Sequence, residues 1–128
     1  MFCRQLYLDE ETSQNYDNIR RKFRARKYPS GIYVIILSKT SGRVEYFDCK
    51  AFKQKYYEQT GNYPLIIGLA KNAESAQNIV VKIIEETYEQ TGNADVMMYL
   101  RDKTQRLQKG YFKRHEFIVI ESKQEGEE

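Results

Sequence analysis

The chain has 128 residues, 41% hydrophobic and 30% charged, with two prolines and seven glycines, the balance of one globular domain rather than a disordered or fibrous chain. No apolar run approaches the roughly 18–20 residues that span a bilayer, and the start MFCRQLYLDEE lacks a basic region followed by an apolar stretch, so a cytoplasmic protein without a membrane partner is expected. Two cysteines and one histidine are too few for a disulfide framework or a structural zinc site, and a net charge of +3 is too small to mark the whole surface as a polyanion binder.

In chain order, FCRQLYL permits a short strand with Phe2, Leu6 and Leu8 on one face and Cys3 and Tyr7 on the other. DEETSQ then supplies acidic and capping residues for a helix start, and Tyr16, Ile19 and Phe23 recur at helical spacing through NYDNIRRKFRARK. YPSG ends that helix in a turn. IYVIIL and RVEYFD, joined by SKTSG, read as a β-hairpin. From Cys49 to Thr60 the pattern is helical, with Cys49, Phe52 and Tyr56 on one face. YPLIIGLA is too short and too uniformly apolar for a helix and reads as a strand covered on both sides.

NAESAQNIVVKIIEETYEQTG carries the clearest helical period. Ala73, Ala76, Ile79, Val80, Ile83, Ile84, Thr87 and Tyr88 form the apolar side, Asn72 is the N-cap, and Gln77, Lys82, Glu85, Glu86 and Glu89 form a solvated polar face. ADVMMYL is expected to be another strand, RDKTQRLQKG a connection, and EFIVIES the last strand. The hexapeptide YEQTGN occurs at 57–62 and again at 88–93. In both copies a glycine stands where a left-handed residue closes a helix, so the repeat reads as a helix terminator rather than a duplicated site.

Alternation of strand and helix across 43–100 predicts right-handed crossovers. The expected fold is a small single-domain α/β layered sandwich spanning 1–122. Its mainly parallel sheet has five or six strands, with the hairpin and the last strand as antiparallel edges, and about three helices. A ferredoxin-like α+β arrangement with a central hairpin is the alternative. Residues 123–128 read as an acidic disordered tail.

Three surfaces carry functional expectations. Gly68, Lys71, Asn72 and Ser75, in GLAKNAES, stand where a strand end meets a helix N-terminus and could hold a small anion or nucleotide. The stretch matches neither GxGxxG nor GxxxxGK[ST], and ordinary capping by Asn72 or Ser75 explains it equally. Arg20, Arg21, Arg24 and Lys27, with Lys22 and Arg26, form a basic helix that could contact nucleic acid, helped by some of the eleven tyrosines. KGYFKRHEFIVI begins like the RNP1 element of RNA-recognition motifs, but Phe112 replaces the small residue, and Arg114 and His115 interrupt the aromatic pattern. A sheet edge or an exposed tyrosine-bearing face would suit a protein partner or a second copy of the chain. No catalytic constellation, cofactor motif or metal-ligand set is present in the sequence, and a site assembled from Asp48, Lys71 and Asp102 would need the fold to bring them together.

YPSGIYVIILSKTSGRVEYFDCKAF and YPLIIGLAKNAESAQNIVVKIIEETYEQTGNADV resemble short proteins of anaerobic Firmicutes that share GxYVIxL and IxGIAxxxxEAxxLVxxIIxExYxxTGxxDV and have no assigned activity. The resemblance implies a bacterial cytosolic origin and an α/β fold, and no catalytic residue. The function expected first is a non-enzymatic interaction module or homodimer, ahead of nucleic-acid binding and of small-anion sensing.

Overall fold

The structure is a computed structural model and describes residues 2–38, 40–108 and 116–120. The acidic tail, His115 and most of the RNP1-like stretch lie outside the described residues. The described chain is mixed α/β, with five strands in one sheet of order β3-β2-β4-β1-β5. β1 spans Phe2–Asp9, β2 Tyr33–Leu37, β3 Val44–Asp48, β4 Leu65–Ala70 and β5 Glu116–Ile120.

The sheet is not mainly parallel. β1 runs parallel to β4 and to β5, while β2 runs antiparallel to β3 and β4. Two expectations fail here for one reason. Residues 94–100 are not a strand but the entry to helix α5, Val96–Gln108, so the second parallel crossover does not exist. In its place the last strand, β5, lies parallel beside β1, with Leu6 opposite Phe117 and Leu8 opposite Val119. The expected hairpin forms, with Tyr33 opposite Asp48 and Leu37 opposite Val44, and β3 is outermost, as expected of an antiparallel edge and not of the ferredoxin-like alternative with a central hairpin.

Five α-helices replace the three expected. The first basic segment splits into α1, Glu10–Gln14, and α2, Tyr16–Arg24, because Asn15 leaves helical geometry and its side-chain amide donates to the Glu11 carbonyl. The helix expected over 49–60 is a 3-10 helix, Cys49–Lys53, followed by α3, Lys55–Thr60. Cys49 and Phe52 are buried, but Tyr56 is exposed, since the break turns it out of line. α4, Ala73–Thr91, starts at the expected cap, with the Ser75 amide donating to Asn72 Oδ1 at 2.8 Å. Both hexapeptides end helices as expected: Gly61 has φ 67 and Gly92 has φ 79, values that glycine adopts without the Cβ clash of other residues. A strand follows the first copy and a helix the second.

Helices cover both faces of the sheet. On β1 Tyr7 faces α4 and α5, where its hydroxyl reaches Glu86. Phe2 faces α2, where its ring meets Tyr16 and Phe23. On the α2 side Phe52 is fully buried, with Phe23, Tyr28, Phe47, Tyr57 and Tyr63 around it at ring-centroid distances of 5.2–6.3 Å. Most of these pairs meet edge to face, the arrangement favoured by the ring quadrupole. Much of the tyrosine content therefore belongs to packing.

Gly68 lets β1 and β4 close on each other. A Cβ there would stand 2.6 Å from the Tyr7 carbonyl oxygen, a backbone atom that moves only if the strand pairing moves. We expect Gly68→Ala to destabilise the fold by about 2–3 kcal/mol, read as a lower urea midpoint. An unchanged midpoint would show that the strands separate without cost.

Candidate functional site

The sequence places a candidate anion site where β4 runs into α4. In the structure that place already holds a carboxylate from the chain itself. Asp9 ends β1, caps α1 and is only 2% exposed. Its Oδ1 accepts from the Thr12 amide at 2.8 Å and the Thr12 hydroxyl at 2.7 Å. Its Oδ2 accepts from the Lys71 amide and the Ser75 hydroxyl, both at 2.7 Å. Burial pushes the Asp9 carboxyl up, but the hydrogen bonds from Ser75, Thr12 and Lys71 outweigh it and hold the group below the ordinary carboxylate range.

Each expected anion-site residue thus has an internal role. Gly68 provides the close strand approach, and Asn72 caps α4 through the Ser75 amide. Lys71 contributes its backbone amide while its side chain is exposed, and Ser75 turns its hydroxyl inward to Asp9. The Lys71 amide and the Ser75 hydroxyl are engaged with Asp9 and the Ser75 amide with Asn72, and the Asp9 charge complements the positive end of the α4 dipole.

A second polar cluster escapes sequence reasoning. Glu86, read as part of a solvated face, turns one carboxylate oxygen toward the Tyr7 hydroxyl at 2.8 Å, the Tyr99 hydroxyl at 2.5 Å and the Lys103 ammonium at 2.5 Å. The Lys103 nitrogen also lies 5.5 and 5.4 Å from the centroids of the Tyr7 and Tyr99 rings, within cation–π range. Burial raises the Glu86 carboxyl and the bonds from Lys103, Tyr99 and Tyr7 lower it further, so the net shift is downward. Burial, reinforced by the Glu86 charge, pushes the Tyr7 hydroxyl strongly upward, which makes it a fixed donor. The cluster ties α5 to α4 and to the central strand. Its signal was in the spacing, because Ile79, Ile83 and Glu86 share one helical face.

The basic helix is where the sequence put it. Tyr16, Ile19 and Phe23 point into the core, while Arg21, Lys22, Arg24, Arg26 and Lys27 are exposed and Arg20 half-buried. Among the described residues none of these six cations has a carboxylate partner within 4.0 Å. Asp48, Lys71 and Asp102 have separate local roles: Asp48 caps the 3-10 helix through the Lys50 amide, the Lys71 amide just after β4 donates to Asp9, and Asp102 borders a groove with Gln90 and Met98. Cys3 and Cys49 are buried free thiols, with Cys49 donating to the Pro29 carbonyl. Burial and the nearby Asp48 push the Cys49 thiol up to about 12, away from reactivity. Among the described residues no three His, Cys, Asp or Glu side chains are grouped to hold a metal, and no helix is long and apolar enough to cross a membrane.

An open groove of about 660 Å³ runs between the hairpin turn and the start of α5, bordered by Ser41, Arg43, Ile84, Asp95 and Met97. Beside it, the outer side of α4 is apolar: Val81 and Tyr88 are 51% and 60% exposed, and Ile84 lies between them at 40%. The expected apolar side of α4 included Ile84 and Tyr88, but only Ala76, Ile79, Ile83 and Thr87 of that side are buried. No family model, curated protein or solved structure matches the chain.

The two carboxylates give a pH test. Both fold with pKa values below their unfolded values of about 3.9 and 4.3, so each contributes its stability above those values and loses it as pH falls through the folded pKa. Urea midpoints should drop steeply below about pH 4, and less steeply in Asp9→Asn and Glu86→Gln. At neutral pH Asp9→Asn should cost about 2–3 kcal/mol, because a neutral amide accepts the four bonds poorly. Equal acid sensitivity in all three proteins would place the titrating groups elsewhere.

Proposed function

We propose that this protein is a self-associating interaction module whose contact surface is the outer side of α4. The observation that carries this reading is that α4 has two separate apolar stripes, about 120° apart around its axis. Ala76, Ile79, Ile83 and Thr87 pack onto the sheet, while Val81, Ile84 and Tyr88 follow one another at i, i+3 and i+7 on the side turned to solvent. A helix over a sheet needs one apolar stripe; a second contiguous stripe marks a contact surface. Gln77 extends the line and donates to the Tyr46 hydroxyl of β3 at 2.8 Å, so its N-terminal end is anchored to the edge strand. Thr91 continues it toward Gly92.

The positions 77, 81, 84, 88 and 91 alternate by four and three, the seam spacing with which two helices pack side by side. Lys82, Glu85 and Glu89 flank the seam as a polar rim around an apolar centre. Activity on this reading is surface complementarity between two copies, with the tyrosine at position 88 as the large amphipathic anchor.

Sedimentation equilibrium tests it. Wild type should be a dimer at micromolar concentration, and Ile84→Glu should weaken the dimer at least about a hundredfold by placing a charge at the centre of the contact. Because Ile84 is exposed, the variant's circular dichroism and melting temperature, measured on dilute monomer, should match wild type. A wild-type monomer at all concentrations would sink the reading, and a dimer indifferent to Ile84→Glu would move the contact off α4.

A further inference from the structure

We propose that the face formed by α2 and the edge strand β5, on the other side of the sheet from α4, binds single-stranded nucleic acid. The arginines of α2 neutralise phosphates, and the ring of Phe117 stacks on a base.

The charge is concentrated and available. Six cations lie within eight consecutive positions, from Arg20 to Lys27, and among the described residues none is engaged in an ion pair. Asp17 is the acidic residue on the same helix. Cations in the last turn complement the helix dipole, which accounts for Arg21, Lys22 and Arg24 as ordinary helix chemistry. It does not account for Arg26. That residue occupies the left-handed position after the helix, φ 58, with its amide bonded to the Phe23 carbonyl and the next amide to the Lys22 carbonyl. This is the helix-ending arrangement that glycine fills without strain, and a side chain there is held at a cost. A cation kept where glycine folds better points to a use for the charge.

An aromatic ring stands beside that charge. Tyr16, Arg20 and Arg24 follow one another at four-residue spacing along α2, and the Tyr16 ring meets Phe117 edge-on at 4.9 Å. Arg20 and Arg24 lie close enough to the Tyr16 hydroxyl to oppose the burial that, with Asp17, pushes it up to about 12. Phe117 is 40% exposed and Val119, two residues on, 45% exposed; both share the α2 face. β5 is the last strand of the described sheet. Among the described residues Tyr16, Tyr28 and Tyr57, on this side of the sheet, are wholly or partly taken up by packing, whereas Phe117 touches α2 through Tyr16 and keeps an exposed ring.

Single strands fit this surface better than duplexes. Phe117 sits beside the helix rather than on its crest, so a ligand must bend from the arginines down to the sheet edge and present an unstacked base there. A flexible strand does both, with stacking that tolerates any base. A duplex, stiff over about 50 nm and with its bases already stacked, does neither.

Fluorescence anisotropy with labelled oligothymidylate and a duplex of equal length tests the proposal. The oligothymidylate should bind with a log K against log salt slope of about −2 to −3, as three or four neutralised phosphates require, and the duplex should bind at least about fivefold more weakly. Arg20→Gln with Arg24→Gln should flatten the slope. Arg26→Gly should also weaken binding while raising the melting temperature, so its loss cannot come from unfolding. Phe117→Leu, which keeps apolar volume against Tyr16, should weaken oligothymidylate binding roughly tenfold with the slope and melting temperature unchanged. No binding at low salt would overturn the proposal. Equal duplex binding with Phe117→Leu unaffected would also overturn it, as would full competition by polyglutamate at matched charge, which would assign the face to an acidic protein.

Discussion

The Asp9 carboxylate is the joint on which this fold turns. One side chain at the end of β1 closes the N-terminus of α1, receives the backbone of Lys71 just beyond β4, and fixes Ser75 in the first turn of α4. Four hydrogen bonds to a buried charge are needed because an unpaired carboxylate out of water would cost several kcal/mol or take up a proton. Two of the bonds are local, from Thr12, and two come from Lys71 and Ser75, far along the chain, so the charge is fully satisfied only when β1, β4 and α4 are all in place. Gly68 belongs to the same constraint, since the approach of β4 to the Tyr7 carbonyl brings the two strand ends side by side.

That joint decides where function can reside. The crevice beyond the carboxyl ends of parallel strands is the usual ligand position in α/β sheets, and here the ends of β1 and β4 meet over Asp9. The helix N-terminus that would attract a phosphate faces a carboxylate already hydrogen-bonded to it, and a second anion would meet like-charge repulsion. An anion at the centre of the sheet would therefore compete with Asp9, and the outward surfaces of α2 and α4 gain weight. The Glu86 cluster has a similar internal character: its charge is answered by Lys103 and two tyrosine hydroxyls, and what it controls is the seating of α5.

The legible parts of the fold were those with a local cause. The caps at Asn72, Gly61 and Gly92, the hairpin and the uniformly apolar β4 each follow from a few neighbouring residues, and each stands where the sequence put it. Residues 94–100 misled because VMMYL satisfies a strand and a helix equally over so short a run. What decides for helix is Asp95, whose side chain accepts the Met98 amide, together with the tertiary partners of Tyr99 and Lys103, which both meet Glu86 of α4. Sheet direction was lost with it, since no strand completes a parallel crossover from α4, and β5, expected as an antiparallel edge, pairs parallel with β1. Of the candidate sites, the basic helix was legible as a face, whereas Asp9 inside the expected anion site was not, because Lys71 and Ser75 reach it only through the fold.

The two outward surfaces lie on opposite faces of one sheet, and this geometry links the two proposals without making either depend on the other. Two copies joined through α4 would turn both α2 faces away from the contact, giving one particle with two basic surfaces at its far ends. A single strand long enough to span them would engage the second surface at the effective concentration set by the intervening length, and gain avidity with no new contact. A short strand would engage one. The length of nucleic acid at which affinity rises would then report the distance between two α2 helices across the dimer, a quantity fixed by the thickness of two sheets and four layers of helix rather than by any residue on the binding face.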